Sequence, residues 1–255
     1  MRHKKRLEAV ANFLADAAPE LAEALRPDGA ATPPYFVDFE VLRCIGEGGF
    51  GQVWMARNRF DEQLYSIKVL CADEDIELEA IKLFRKVKDL SHLVPILHVG
   101  EAEGSIYYVM PLADDVANDG RAGERYQPHS LDLHVNIHGK LDTDESLDLG
   151  FCMMSALAEI HRAGFVHRDL RPENILRFDG VWRLADPGLL TTINSDSPLA
   201  GSDERVRTLG NSTQADLFGL ARTLEDVMDS QSANGVSESS VRIRQLLASL
   251  WRDGN

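Results

Sequence analysis

The order of the secondary-structure signals constrains this chain more than any other feature. Between residues 35 and 112, five short strand-like runs are separated by Gly, Asn or Asp turns, and one helical stretch, IELEAIKLFRKVKDL, interrupts them. After a polar, Gly-containing segment at 113–130, apolar residues return at helical spacing, most clearly in DESLDLGFCMMSALAEIHRAG. Thr143 or Asp144 is expected to cap that helix and Gly164 to end it. Strands grouped first and helices second predict an α+β fold, with a small antiparallel sheet followed by a mainly helical part.

The same pattern divides the chain into three parts. Residues 7–25 carry apolar side chains at near-helical spacing and are followed by RPDGAATPP, so residues 1–34 are interpreted as a helical extension and linker. Residues 35–112 form the strand-rich lobe, and residues 113–255 form a hinge, a mobile connecting loop and the helical lobe. We expect the N-terminal helix to pack within the chain, and self-association through it is the open alternative.

Composition excludes several classes of partner. The net charge of −14 argues against a nucleic-acid-binding surface, because such binding depends on clustered Lys and Arg. No apolar run approaches the roughly 20 residues that span a bilayer, and the basic start MRHKKR leads into an amphipathic segment. The three cysteines have neither disulfide-framework nor zinc-ligand spacing. We therefore expect a cytoplasmic protein with no membrane span.

The glycine-rich segment GEGGFGQV, residues 46–53, lies between two strand candidates. Its glycines would let the backbone of a hairpin approach phosphates, while Ile45 and Val53 would present apolar side chains to a flat ring. Because the segment leads into a strand and not into a helix, it argues against a Rossmann dinucleotide site.

Lys68 lies within the strand-like run YSIKVL, on the face opposite Ile67 and Val69. A lone strand lysine is usually solvated at a sheet edge. The preceding glycine loop and the acidic residues of the next helix favour the other interpretation, in which Lys68 contacts phosphate and pairs with a helix carboxylate.

Four motifs in order, GEGGFGQV, YSIKVL, HRDLRPEN and DPG, resemble those of the eukaryotic-like Ser/Thr protein kinases, of a bacterial type with a compact or truncated C-lobe. The resemblance covers about residues 36–253. It implies a bilobal protein-kinase-like fold, with an antiparallel N-lobe that has one main helix and a mainly α-helical C-lobe.

The resemblance assigns roles in phosphoryl transfer. Asp169 would orient the acceptor hydroxyl and take its proton, and Asn174 and Asp186 would hold Mg²⁺. Arg171 stands where most of these kinases have a lysine that contacts the transferred phosphate, so the charge is kept while the donor geometry changes. Lys68 would pair with Glu79, with Glu77 as the alternative.

The resemblance also implies an ATP site. Met110 would lie at the back of the adenine pocket, Pro111 to Ala113 would be the hinge, and Asp114 or Asp115 would reach the ribose unless they are solvated loop acids. The remaining residues expected around the nucleotide are Ile45, Gly46, Gly48, Gly51, Val53, Ser66, Lys68 and Leu176.

Some positions depart from the family pattern, and others are candidates for a structural or regulatory role. Pro187 replaces the Phe of Asp-Phe-Gly, and the segment from Pro187 to Glu204 is short. Asp216 resembles the buried aspartate that holds the catalytic loop, and Thr191, Thr192, Ser195 and Ser197 are candidate phosphorylation sites.

The predicted function is an ATP- and Mg²⁺-dependent protein kinase acting on Ser or Thr hydroxyls of an unknown protein substrate, with autophosphorylation left open. The alternatives are a pseudokinase that serves as a nucleotide-binding or scaffolding module, and a small-molecule kinase.

Overall fold

The computed structural model describes residues 34–48, 51–70, 74–117, 126–187, 190–193 and 209–228. The predicted N-terminal helix, Ser195, Ser197 and Glu204 lie outside these ranges, and the side chain of Glu77 is likewise not described. The described residues form two compact units. The first unit contains residues 34–70 and 96–112, and the second contains residues 74–95 and 113–228.

The first unit is a five-stranded antiparallel sheet. Its strands are β1 (Phe39–Gly48), β2 (Gly51–Asn58), β3 (Leu64–Leu70), β4 (His98–Ala102) and β5 (Ser105–Pro111), in the spatial order β1-β2-β3-β5-β4. Strand β3 is therefore central, with β2 and β5 as neighbours.

One face of this sheet carries an apolar core. Phe36, Ala56, Ile67 and Val109 are buried together there, and the ring of Phe36 packs edge-on against Tyr107 with centroids 4.7 Å apart. Because side chains alternate along a strand, the residues between them in sequence, including Ser66 and Lys68, point to the opposite face. The sheet thus separates an apolar face from the face that carries the predicted site residues.

The second unit is mainly helical. Its helices are α1 (Glu74–Phe84), α2 (Leu131–His138), α3 (Thr143–Arg162) and α4 (Thr213–Val227). Two short antiparallel pairs accompany them, β6 (Phe165–Val166) with β9 (Thr191–Thr192) and β7 (Ile175–Phe178) with β8 (Val181–Leu184). A 3₁₀ turn, Pro172–Asn174, precedes β7.

The N-cap of helix α3 lies one residue before the positions predicted for it. Asp142 is the N-cap residue, and its side chain accepts the backbone N–H of Glu145 at 2.9 Å while Glu145 accepts the N–H of Asp142 at 3.0 Å. This capping box satisfies two backbone donors at once, so Thr143 and Asp144 lie inside the helix instead. At the other end Gly164 has a φ of +88°, the left-handed conformation that favours glycine after a helix.

The segment after α1 is bound to the second unit through its backbone. Val94 donates to the carbonyl of Leu184 at 2.9 Å, and Leu184 donates to the carbonyl of His92 at 2.9 Å. These bonds explain why residues 73–95 group with the second unit, whereas the sequence interpretation assigned them to the strand-rich lobe.

The polar segment at 113–130 is anchored at both described ends. Val116 donates to the carbonyl of Gln127 at 3.0 Å, and the hydroxyl of buried Tyr126 donates to the carbonyl of Ala113 at 3.1 Å. Among the helices that the structure describes, none is long and apolar enough to cross a bilayer.

Candidate active site

One face of the sheet in the first unit brings together four of the predicted nucleotide-binding residues. In the register of the sheet Val53 lies opposite Lys68, and Ser66 lies opposite Met110. Cross-strand partners and residues two apart share a face, so these four side chains lie on the same side of the sheet. These four residues belong to the set that the sequence assigned to the adenine ring and the phosphates.

Lys68 is buried, with 5% of its surface exposed. Its ammonium lies 5.8 Å from the centroid of the Tyr108 ring, which is opposite it on β5. The interpretation as a solvated edge lysine is therefore wrong, because β3 is the central strand. A buried ammonium is usually stabilised by an opposite charge, which makes Lys68 a candidate for binding an anion.

The glycine loop is the β1–β2 hairpin. Gly48 lies opposite Gly51 and Gly46 opposite Val53, and half-buried Ile45 lies at a register shift between Cys44 and Gly46. Gly51 has a φ of +129°, and a Cβ there would lie 2.0 Å from the carbonyl oxygen of Val69. At Gly46 a Cβ would meet only the Val53 side chain, at 3.6 Å. Gly51 is therefore required by the approach of β3 itself.

The predicted hinge follows strand β5. Met110 and Ala113 are buried and Pro111 is half-buried at the end of the strand. The carbonyl of Ala113 accepts a hydrogen bond from the Tyr126 hydroxyl at 3.1 Å. In the second unit Leu176 lies on β7, half-buried and bridged to Ser130.

Strand β6 leads directly into the loop that carries the HRD motif. The carboxylate of Asp216, on α4, accepts the backbone N–H of His167 at 2.9 Å and of Arg168 at 2.7 Å. It also accepts a hydrogen bond from His161 Nε2 at 2.7 Å, and Asp216 is 1% exposed. One buried carboxylate thus fixes the backbone of the loop immediately before Asp169.

Asp169 and Asn174 are in direct contact. The side-chain Nδ2 of Asn174 donates to Asp169 Oδ2 at 2.8 Å and to the Asp169 carbonyl at 2.9 Å. His167 Nε2 donates to the carbonyl of Ala185 at 3.1 Å, so its Nδ1 is the acceptor for the Asp169 N–H at 3.4 Å. Asp169 is 8% exposed, so its carboxylate is held by a short network with little motion left to it.

Asp186 follows β8 and is tied to the same loop through its neighbour. The backbone N–H of Ala185 donates to the Asn174 carbonyl at 2.8 Å, and Ala185 accepts the bond from His167. Among the described non-glycine residues with positive φ, Glu62, Glu103 and Asp179 lie in hairpin turns. Arg168 (φ 70°) and Asp186 (φ 57°) do not, and such strain concentrates at functional sites.

Arg171 and Glu173 form a bidentate ion pair. Arg171 Nε donates to Glu173 Oε2 at 2.9 Å, and the terminal nitrogen Nη2 donates to Oε1 at 2.5 Å. This hydrogen bond raises the pKa of the arginine and lowers the pKa of the carboxyl. Sequence reasoning identified Arg171 but not its partner, although both stand in HRDLRPEN.

Three of the predicted acids have partners of their own. Glu79 is exposed and accepts a hydrogen bond from Lys82 at 2.6 Å. Asp114 accepts the backbone N–H groups of Asp179 and Gly180 at 2.9 and 3.0 Å, and Asp115 accepts those of Ala117 and Gln127. Asp114 and Asp115 are therefore half-buried loop residues whose carboxylates hold the backbone of neighbouring turns.

The segment after Asp186 returns to strand β6, which leads into the loop that carries Asp169. Pro187 is buried and its carbonyl accepts the N–H of Leu190 at 2.9 Å. Strand β9 then pairs Thr191 with Val166 and Thr192 with Phe165, which leaves Thr191 buried and Thr192 exposed. Arg168 donates to the Asn211 side chain at 2.8 Å, a partner that no sequence motif indicates.

Comparison with known proteins agrees with this geometry. The protein kinase domain family matches residues 39–231, which is more than half of the chain. The serine/threonine-protein kinase PknK of Mycobacterium bovis is 28% identical over 211 residues, which are 76% of this chain and 18% of that protein. The serine/threonine-protein kinase PrkC of Bacillus subtilis is 27% identical over 228 residues, 82% of this chain and 33% of PrkC.

A probable serine/threonine-protein kinase, PknB of Lactococcus lactis, is 26% identical over 76% of this chain and 32% of its own length. The chain thus spans a third or less of the length of these relatives. The predicted fold class, an α+β protein-kinase-like fold with an antiparallel sheet and a mainly helical part, is confirmed. The chain belongs to the protein kinase domain family, as the resemblance to eukaryotic-like Ser/Thr kinases predicted.

Proposed function

We propose that this chain is an ATP- and Mg²⁺-dependent protein kinase that transfers the γ-phosphate of ATP to Ser or Thr hydroxyls. The observation that carries the proposal is the way in which Asp169 is held by its neighbours. Its carboxylate is held by Asn174 at 2.8 Å, and the backbone before it is fixed by the buried carboxylate of Asp216. Phosphoryl transfer depends on positioning and electrostatics more than on covalent chemistry, and this loop supplies a positioned acid.

Asp169 serves as the general base that orients the acceptor hydroxyl. The hydroxyl oxygen of the substrate forms a bond to the γ-phosphorus while the bond from that phosphorus to the β–γ bridging oxygen breaks. The hydroxyl proton goes to the Asp169 carboxylate, and ADP leaves with the bridging oxygen. Arg171 contributes a positive charge beside the transferred group, where negative charge is spread over the phosphoryl oxygens.

Asn174 and Asp186 would hold Mg²⁺. The donor set fits a hard cation, because it offers a carboxylate and a carboxamide oxygen. The amide nitrogen of Asn174 donates to Asp169, so its Oδ1 is directed away from that carboxylate. When bound, the metal neutralises charge on the ATP phosphates.

The ATP-binding part of the proposal uses the first unit and the hinge. Lys68 binds phosphate, and the backbone of the glycine loop at Gly46, Gly48 and Gly51 covers it. The adenine ring lies against Val53, Ile45, Ser66 and Leu176, with Met110 behind it, and Pro111 and Ala113 contribute backbone hydrogen bonds. The shared sheet face of Val53, Ser66, Lys68 and Met110 supports this assignment.

Glu79 is proposed as the carboxylate partner of Lys68, with Glu77 as the alternative. Glu79 is bound to Lys82 in this structure, so the proposed pairing requires it to exchange one ammonium for another. An exposed pair of this kind contributes about 0–1 kcal/mol, which is a small barrier to exchange.

The same proposal includes a cytoplasmic location and autophosphorylation. It also includes packing of residues 1–34 within the chain, with self-association as the alternative. The absence of disulfide or signal-peptide patterns in the sequence supports the location. The names of the relatives favour a protein acceptor over a small molecule.

The function is tested by incubating the purified chain with labelled ATP, with and without Mg²⁺, and supplying either a generic basic protein or small hydroxyl acceptors. We expect Mg²⁺-dependent, acid-stable label on Ser or Thr of the protein acceptor. Label on small acceptors alone would replace the proposal with a small-molecule kinase. A rise in melting temperature with Mg²⁺ and ATP but no transfer would replace it with a pseudokinase.

A further inference from the structure

The ion pair between Arg171 and Glu173 is built by the turn that also carries Asn174. Arg171 is extended, with φ −152° and ψ 157°, and Pro172 begins the 3₁₀ turn Pro172–Asn174. The turn closes with the Asn174 N–H donating to the Arg171 carbonyl at 3.0 Å. This tight chain reversal lets side chains two positions apart meet, which they do not do along a regular helix.

The pair occupies one edge of the guanidinium. Nε and Nη2 both donate to the Glu173 carboxylate, so the planar group is held in two places and cannot rotate about its terminal bond. The other terminal nitrogen, Nη1, makes no hydrogen bond to any residue that the structure describes. Its N–H donors therefore keep a fixed direction set by Glu173 and remain open to a ligand.

Stability does not explain this pair. Both side chains are substantially exposed, at 41% for Arg171 and 48% for Glu173. Exposed ion pairs contribute about 0–1 kcal/mol to folding, so orientation is the larger consequence of the bidentate contact.

Without Glu173 the arginine would have other carboxylates to approach. Asp169 and Asp132 both act electrostatically on Arg171 and favour its charged form. A guanidinium released by Glu173 would be drawn toward Asp169, the proposed acceptor of the substrate proton, and would occupy its lone pairs.

We infer that Glu173 is a positioning residue, which holds Arg171 so that Nη1 faces the transferred phosphoryl group and stays off Asp169. This inference rests on the proposed function. A lysine at residue 171 would have a single ammonium that no fork can orient, so the need for Glu173 is specific to arginine at this position.

A double-mutant cycle tests the inference. We would measure kcat and KM for ATP in the wild type, Glu173→Gln, Arg171→Lys and the double variant. We expect Glu173→Gln to lower kcat about tenfold with KM for ATP unchanged within about twofold, as for an interaction made in the transition state. In the Arg171→Lys background the same change should alter kcat by less than about twofold. Equal losses in both backgrounds, or a higher kcat in Glu173→Gln, would overturn the inference.

Two further measurements distinguish failure of the positioning role of Glu173 from failure of the proposed function. Glu159→Gln breaks another Arg–Glu pair, that with the exposed Arg162, and should leave kcat unchanged. The ¹⁵N relaxation of the Arg171 Nε–H reads the pair without any turnover: we expect an ordered signal that becomes mobile in Glu173→Gln. A wild type that transfers no phosphate overturns the proposed function, whereas an Nε–H equally mobile in both proteins overturns the positioning role.

Discussion

The carboxylate of Asp216 accepts the backbone N–H of Arg168 at 2.7 Å, although 48 positions of sequence separate the two residues. The same carboxylate accepts the N–H of His167. Helix α4 thus fixes the two residues that precede Asp169, and the position of the proposed catalytic base depends on a buried group that never contacts substrate.

Replacing that carboxylate should loosen the loop and reduce stability. In Asp216→Asn one oxygen becomes an NH₂ group that faces backbone donors, and leaving buried donors unsatisfied costs about 2–4 kcal/mol. Asp226→Asn is the matched control, because Asp226 lies on the same helix, is 60% exposed and pairs only loosely with Arg222 at 3.6 Å. Urea unfolding of both variants checks this, and equal midpoints would contradict it.

The two glycines of the loop should differ sharply on substitution. Gly51→Ala puts a Cβ 2.0 Å from the Val69 carbonyl oxygen at a positive φ, so we expect a loss of about 2 kcal/mol or more in the free energy of unfolding. Gly46→Ala meets ordinary contacts and should change it by less than about 0.5 kcal/mol. Thermal unfolding without nucleotide measures both, and comparable losses at the two positions would refute the assignment.

The part of the site that sequence could predict is the part built from nearby residues. Asp169 and Asn174 lie five positions apart in one motif, so their meeting follows from a tight turn. The face that Lys68 occupies followed from the alternation of side chains along a strand. Its burial did not, because burial depends on β3 pairing with β5 as well as β2, which no local pattern specifies.

Contacts made by isolated residues were not predictable. Asn211, which binds Arg168, and Tyr126, which binds Ala113, belong to no motif, and only tertiary packing brings them to their partners. The observed N-cap of α3 lies one residue before the predicted positions. Asp142, Thr143 and Asp144 can all cap a helix, and only the reciprocal bond with Glu145 selects the first.

Removing the buried lysine should abolish transfer. Lys68→Met keeps the length of the side chain and removes the charge proposed to bind phosphate, so we expect kcat/KM for ATP to fall at least about 100-fold. Lys82→Met removes an exposed lysine, 57% exposed, that pairs with Glu79, and should change kcat/KM by less than about threefold. Steady-state kinetics with varied ATP provides the measurement, and similar values for both variants would argue against the role of Lys68.

A histidine pair in the second unit should make stability fall in acid. His129 Nε2 and His134 Nδ1 lie 2.9 Å apart, edge-on to Trp182, and His129 is buried. Burial, then the charges of His134, Arg177 and His138 against that of Asp114, lower the pKa of His129 to about 4.

The unfolded chain binds a proton at this residue near pH 6.5, whereas the folded chain does so only near pH 4, so stability is lost as the pH falls between these values. We expect the melting temperature of the wild type to fall more steeply than that of His129→Gln over this range. Parallel curves for the two proteins would remove His129 as the cause.

The most direct test of the account is the rate of transfer to a protein acceptor in Asp169→Asn. The amide keeps the shape of the side chain but cannot take the hydroxyl proton, so we predict a rate lower by at least about 100-fold, with a melting temperature within about 2 °C of the wild type. Asp148→Asn, on the exposed side of α3, serves as the control and should retain the full rate. A folded Asp169→Asn variant that transfers phosphate within about threefold of the wild type would contradict the proposal that Asp169 is the catalytic base of a protein kinase.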